Sequence, residues 1–352
     1  MNGIFRRQFL FASLCSLVAL ALTGGCAQQE EPAPSATPAA ANTETGASTF
    51  TAPEGPLKVA LITPAKVSDK GWGQSAYEGI QLIQKDLGAE TLQPVEEPPL
   101  AQVESAMRDA AQQGAVIVYG HGSEYDDAAK KIAAESPKTV FVVMGGKSAG
   151  PNLMPIQFAS GEATYLAGML AAAMSKTGKI GLVGGDEIPI IKQAFDAFAA
   201  GAKSVKPDIE VKTTFTGNGT DVAKAKQQAQ ALLDAGADVL MHNANAAGAG
   251  VFQAVMERDG AMVIGANADQ SDQATPKNLG SFILDVPAAM VAVAKRVKEG
   301  NVTGEAYSAG IKDKAVGFKF NPQFAGTIPQ EIKDKMQAAE QAMAEGKLNP
   351  NS

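Results

Sequence analysis

From Leu57 onward, short apolar runs alternate with amphipathic segments, and few folds accommodate that rhythm. The runs Lys58–Ile62, Thr91–Val95, Ala115–Val118, Thr139–Val143, Lys179–Val183, Glu210–Thr213, Asp238–Met241 and Met262–Ile264 predict strands. Between them, Ser75–Leu87, Leu100–Gln112, Tyr125–Glu135, Glu162–Met174, Ile190–Val205, Val222–Leu233 and Gly248–Glu257 carry helical spacing. Strict alternation of this kind implies right-handed βαβ crossovers and parallel sheets covered on both faces. Half of the strands precede Gly161 and half follow Lys179, which is enough for two open sheets. The expected fold class is therefore α/β, with two doubly wound parallel-sheet lobes.

Composition narrows the function. Hydrophobic residues make up 45% of the 352-residue chain and charged residues 19%, as in a globular protein. The formal net charge is -7 and the basic residues are scattered, so a cationic face for nucleic acid is not expected. Both cysteines, Cys15 and Cys26, lie near the start, which leaves no disulfide or thiolate metal cluster for the body. The two histidines, His121 and His242, sit in separate segments, so no metal centre is expected. No cofactor is expected either.

The first 25 residues read as a signal peptide. Arg6 and Arg7 precede an apolar run from Phe9 to Leu22, too short for a comfortable membrane span. Leu22-Thr23-Gly24-Gly25-Cys26 resembles a lipobox, with Cys26 as the lipidated residue, although Thr23 stands where a large aliphatic is usual. Arg6-Arg7-Gln8-Phe9-Leu10 also resembles a twin-arginine signal, so both export routes stay open. Residues 26–56, rich in Ala, Thr, Pro, Glu and Ser, bury too little apolar surface to fold and read as a flexible tether. An uncleaved membrane anchor with the same tether would equally leave the body facing the periplasm or the cell exterior.

Ligands of open α/β sheets bind beyond the carboxyl ends of the strands. The loops there contain Asp69, Trp72 and Gln74; His121; Asn243 and Asn245; and Asn267 and Asp269, with Asp285 further on. Polar, mostly uncharged residues of this kind suit a neutral solute that donates and accepts hydrogen bonds. Trp72, the sole tryptophan, offers a rigid face for stacking a planar ring. Enzyme motifs fit poorly. Gly146-Lys147-Ser148-Ala149-Gly150 satisfies the nucleophile-elbow pattern, but Pro151 and Asn152 follow where a helix must start. Gly145-Gly146-Lys147-Ser148 lacks the first glycine of a phosphate loop, because position 141 is Phe. The carboxylates Asp69, Asp269 and Asp285 read as hydrogen-bond acceptors rather than as an acid–base pair. A hydrolase stays the weaker alternative, beside a binder of another small polar solute such as a sugar or signalling molecule.

The pattern Asp69-x-Gly71-Trp72-x-Gln74-x-Ala76-x-x-Gly79 resembles the first ligand loop of the BMP (basic membrane protein) family of ABC-transporter substrate-binding lipoproteins. Thr177-Gly178-Lys179-Ile180-Gly181-Leu182-Val183-Gly184-Gly185, Ile188-Pro189 and Phe198-Ala199-Ala200-Gly201-Ala202-Lys203 are similar to its most distinctive stretch. Pro207-Asp208-Ile209, Ala237-Asp238-Val239, Gly248-Ala249-Gly250-Val251, Ile264-Gly265 and Asp269-Gln270 follow in order. The resemblance implies a type I periplasmic-binding-protein fold whose chain crosses between lobes three times. The first lobe would hold 57–160 plus 280–303, the second 161–279 plus 304–352. It further implies capture of a purine base or nucleoside between the lobes, with an ABC permease as partner. Trp72 would stack on the base, Asp69 and Gln74 would hydrogen-bond beside it, and Asp269 would contribute from the other lobe. The nucleoside-binding branch has Asp at the position of Asn267, a lysine near Leu284, and commonly Phe at the position of Trp72. These departures keep both a free base and a nucleoside as candidates.

Overall fold

The computed structural model describes residues 50–51, 55–68 and 72–351. The expected signal peptide, Cys26, most of the tether and Asp69 lie outside the described residues. The first sheet is built from β1 (Lys58–Thr63), β2 (Glu90–Thr91), β3 (Val95–Glu96), β4 (Ile117–Gly120), β5 (Val140–Met144) and β6 (Leu153–Phe158). Helices α1 (Trp72–Leu87), α2 (Leu100–Gln112) and α3 (Asp126–Glu135) alternate with these strands. The chain then runs through α4 (Ser160–Met174), β7 (Lys179–Gly184), α5 (Pro189–Val205), β8 (Glu210–Phe215), α6 (Val222–Asp234), β9 (Val239–Asn243), α7 (Gly248–Met256), β10 (Met262–Gly265) and β11 (Asn278–Leu284). It ends with α8 (Val286–Lys298), β12 (Tyr307–Ala309), β13 (Val316–Phe320) and α9 (Gln330–Ala344).

Two sheets result. One runs β12-β6-β5-β4-β1-β2, with β3 also on β1; the other runs β13-β11-β10-β9-β7-β8. All pairings are parallel except that of β11 with β13. Strand alternation sends side chains to two cores per sheet. Val59 and Leu61 join the core beneath α1 and α8, while Ala60 and Ile62 join the one beneath α2 and α3. In the second sheet Ile180 and Leu182 pack toward α4, α5 and α9, while Val183 and Leu240 pack toward α6 and α7. Helix α4 is buried almost all round, as befits an element packed between a sheet and two other helices.

Three connections join the sheets, and all sit at carboxyl edges. Strand β6 ends at Phe158, and α4 follows in the second lobe; β11 ends at Leu284, and α8 packs back on α1. The last runs from Ala309, at the end of β12, to Val316, which starts β13 opposite Leu284. Backbone hydrogen bonds tie the segments together, Ala159 N–H to Ala309 O at 2.9 Å and Asp285 N–H to Ala315 O at 2.7 Å. Phe158 packs against both principal cores. The boundaries differ from those expected. Residues 280–284 belong to the second sheet, as part of β11, and β12 places residues 307–309 in the first.

Candidate functional site

Because the connections leave from the carboxyl edges, the loops that follow the strands of both sheets flank the hinge. In the first lobe, β1 runs into the segment that starts α1, and Trp72 is the first residue of that helix. Gly73 makes this entry possible, since a Cβ there would sit 2.3 Å from Lys66 O. His121 follows β4, the neighbour of β1, and its ring stacks on the Trp72 indole at 4.0 Å and 21°. Two hydrogen bonds lock the pair: Trp72 Nε1–H donates to His121 O at 3.1 Å, and His121 Nε2 lies 2.9 Å from Trp72 O. A carbonyl only accepts, so His121 carries its proton on Nε2. His121 is 1% exposed and Trp72 is 43% exposed, so the histidine backs one face of an indole whose other face is open. Gln74 lies in the first turn of α1, and its Nε2 donates to Glu78 Oε1 at 2.7 Å.

The second lobe presents three connected loops. Gly185 N–H donates to Asn243 O, and Ala247 N–H donates to Gly219 O, binding the ends of β7, β8 and β9 together. Asn243 is half-buried, whereas Asn245 is exposed and takes a positive φ of 47°. After β10, Asn267 also has positive φ, 66°, and its carbonyl accepts from Leu284 N–H at 2.9 Å. Asp269 faces Lys319 on β13 at 2.7 Å and accepts from the Ser271 backbone at 3.0 Å. The Lys319 ammonium, with help from Ser271, holds its carboxyl down at about 2. Asp269 is thus already paired within the second lobe.

A buried polar network underlies these loops, and sequence reasoning missed it. Gln270 Oε1 accepts from Ala266 N–H at 2.8 Å and lies 3.0 Å from His242 Nε2, so His242 is the donor. Gln270 N–H donates to Ser281 Oγ, and its carbonyl accepts from Asn278 Nδ2. The His242 ring rests edge-on against Phe252 and so close to Gly248 that a Cβ there would lie 2.3 Å away. Burial holds the imidazole down at about 4, so it stays neutral near pH 7. The signal was present as a Gln directly after Asp269, but its partners come from β9 and β11, which no local pattern joins.

Asp285 has a structural task. It lies between β11 and α8, and its Oδ1 accepts from Ala288 N–H at 2.9 Å as the N-cap of α8. Glu162 on α4 ties down the last connection, accepting from Ile311 N–H at 2.6 Å, and burial raises its pKa. A serine hydrolase would need a base beside Ser148, and His242 of the second lobe is not its partner. Ser148 donates to Asp126 Oδ2 at 2.7 Å in the first lobe, while His242 belongs to the second. Among the described residues no group of His, Cys, Asp and Glu could hold a metal, and no helix is long and apolar enough to cross a membrane. A hollow of about 370 Å³ under α2 is lined by Leu92, Gln93, Val95 and Gln102, and none of the candidate residues lines it.

The profile of the Bmp family, described as ABC transporter substrate-binding protein PnrA-like, matches residues 57–348. The chain belongs to this family. It is 31% identical over 317 residues to the ABC transporter nucleoside-binding protein BmpA of Lactococcus lactis, covering 83% of this chain and 88% of the relative. Among solved structures it is similar to an ABC transporter solute-binding protein from Conexibacter woesei, with a TM-score of 0.68 and 23% identity over 83% of this chain and 98% of that one. It is also similar to a transcriptional activator of the comK gene from Bacillus halodurans, with a TM-score of 0.71 and 25% identity over 84% and 99% of the two chains. Membership in the Bmp family makes the protein an ABC-transporter substrate-binding protein with the two-lobed type I fold. Its partners are thus a small ligand and an ABC permease.

Proposed function

We propose that this Bmp-family protein captures a purine nucleobase or nucleoside between its lobes and delivers it to an ABC importer, held at the outer membrane face by a lipid on Cys26. The observation that carries the reading is the Trp72–His121 pair, an indole fixed on one side and open on the other at the carboxyl edge of the first sheet. A stacked base gains about 1–3 kcal/mol from such a platform. Asn243, Asn245 and Asn267 supply donors and acceptors on the second lobe without net charge, which suits a neutral heterocycle. Each hydrogen bond adds about 0.5–1.5 kcal/mol net, and several together with the stack reach the roughly -8 kcal/mol of micromolar binding. The name of the Lactococcus relative supports a nucleoside. The second lobe's contacts would stabilise a closed state over an open one, so binding and hinge closure are coupled.

Calorimetry of the purified protein against purine bases, nucleosides, amino acids and sugars tests this. A purine compound should bind best, and Trp72→Ala should weaken it about tenfold or more. Sugar binding that is indifferent to Trp72→Ala would remove the purine reading.

A further inference from the structure

The two sheets carry their strands in matched positions. Counted from the hinge-side edges β12 and β13, β1 is fifth in the first sheet and β7 is fifth in the second. Helix α1 follows β1 and begins with Trp72, and α5 follows β7 and begins with Pro189. Pro189 is flanked by Ile188 and Ile190, which are 46% and 49% exposed. Both helix starts lie at carboxyl edges, at equal strand distance from the connections that join the lobes. Closure about that hinge brings equivalent positions toward each other, so the open face of Trp72 and the isoleucine pair approach from opposite sides.

Two neighbouring exposed isoleucines offer apolar area whose burial against a partner surface is favourable. A branched aliphatic side chain gains by covering the face of a flat, polarisable ring. Against a polyol it would strip water from hydroxyls without offering a hydrogen bond. Pro189 at the first helical position, with its φ set by the ring, restricts the backbone between the two side chains.

We propose that Ile188 and Ile190 form the second jaw of the site, clamping a planar heteroaromatic ring against Trp72 when the lobes close and selecting such rings over sugars. This rests on the purine reading above and deepens it. Ring contact from the second lobe comes from α5, and the asparagine loops address the ring's polar rim.

The chain's one tryptophan is Trp72, so its intrinsic fluorescence reports this site alone. The full chain would be titrated with adenine, guanine, adenosine, guanosine and ribose, followed by tryptophan emission and calorimetry. The wild type is compared with Ile188→Ser/Ile190→Ser, Trp72→Ala (by calorimetry) and Met256→Ser, the last an exposed aliphatic position at the end of α7. The double variant should bind the preferred purine about tenfold or more weakly, with an unchanged unfolding midpoint, and should narrow the margin over ribose. Met256→Ser should bind as the wild type does. Wild-type affinity in the double variant, with loss in Trp72→Ala, would overturn the jaw and leave the purine reading intact. Absence of purine binding by the wild type would overturn both.

Discussion

His242 shows how much of a binding loop's shape depends on a residue that never faces solvent. Its ring donates to Gln270, and Gln270 fixes Ala266, so the turn carrying Asn267 and Asp269 hangs from one imidazole. Burial depresses its pKa from 6.5 to about 4. The unfolded chain therefore takes up a proton first as pH falls. His242 lets the protein keep full stability above pH 6.5, and stability declines between 6.5 and about 4, with a slope up to about 1.4 kcal/mol per pH unit. Urea titrations across that window should show the slope in the wild type. His242→Gln, which keeps a donor and cannot charge, should lack it. Asp269 acts in a lower window, because its depressed carboxyl loses its contribution only as pH falls from 3.8 through about 2. At this scale the sequence was readable where one residue has one plausible use. Trp72 stands out as the sole tryptophan in a glycine-flanked loop. His121 is expected from the sequence as a ligand contact, whereas its side chain stacks on Trp72. Such pairing depends on β1 and β4 being neighbours, which no residue spacing reveals.

Elements were legible in proportion to how ordinary their residues are. The strands made of short continuous apolar runs, β1, β4, β5, β7, β9 and β10, lie within a few residues of their expected spans. Strand β6 escaped because it contains Pro155, which normally argues against a central strand. Phe141 N–H to Asn152 O and Gly145 N–H to Ile156 O show that even-numbered residues of β6 face β5. The nitrogen of Pro155 points the other way, where β12 begins only opposite Ile156, so no ladder bond is lost. Strand β11 was hidden by Asn278, Gly280 and Ser281, which read as a turn. Helix α8 escaped too, although Asp285 and Pro287 mark its start, because Asp285 was read as a ligand contact. The cap makes a prediction. Asp285→Ala should lower stability by about 1 kcal/mol, whereas Asp285→Asn, an equally good cap, should not. Denaturant midpoints of the two variants check it.

At the scale of the whole molecule, two lobes with separate cores share three short connections. Tyr119 on β4 donates to Met290 O at 2.8 Å, so α8 is pinned to the first lobe although the strand before it belongs to the second. The described ion pairs are largely exposed and contribute little each, which leaves the lobes held together by the connections and the packing around Phe158. Ligand should therefore shift the balance of whole-lobe orientations. Small-angle scattering of the wild type should show a smaller radius of gyration with saturating purine than without, and Trp72→Ala at the same concentration should show less contraction. The two-lobed plan was legible from the repeated strand–helix rhythm. The position of the last crossing was not, because β12 is only three residues long.

Interleaving has a consequence for how this protein is made. The first sheet is finished by Tyr307–Ala309 and the second by Val316–Phe320, so neither lobe is made of one contiguous stretch of chain. As the polypeptide emerges from the ribosome, the first half waits for β12 and the second for β13, so each remains incomplete until strands late in the sequence have been synthesised. Early termination or proteolytic trimming upstream of β12 should leave two unfinished sheets, rather than one native lobe and one missing one.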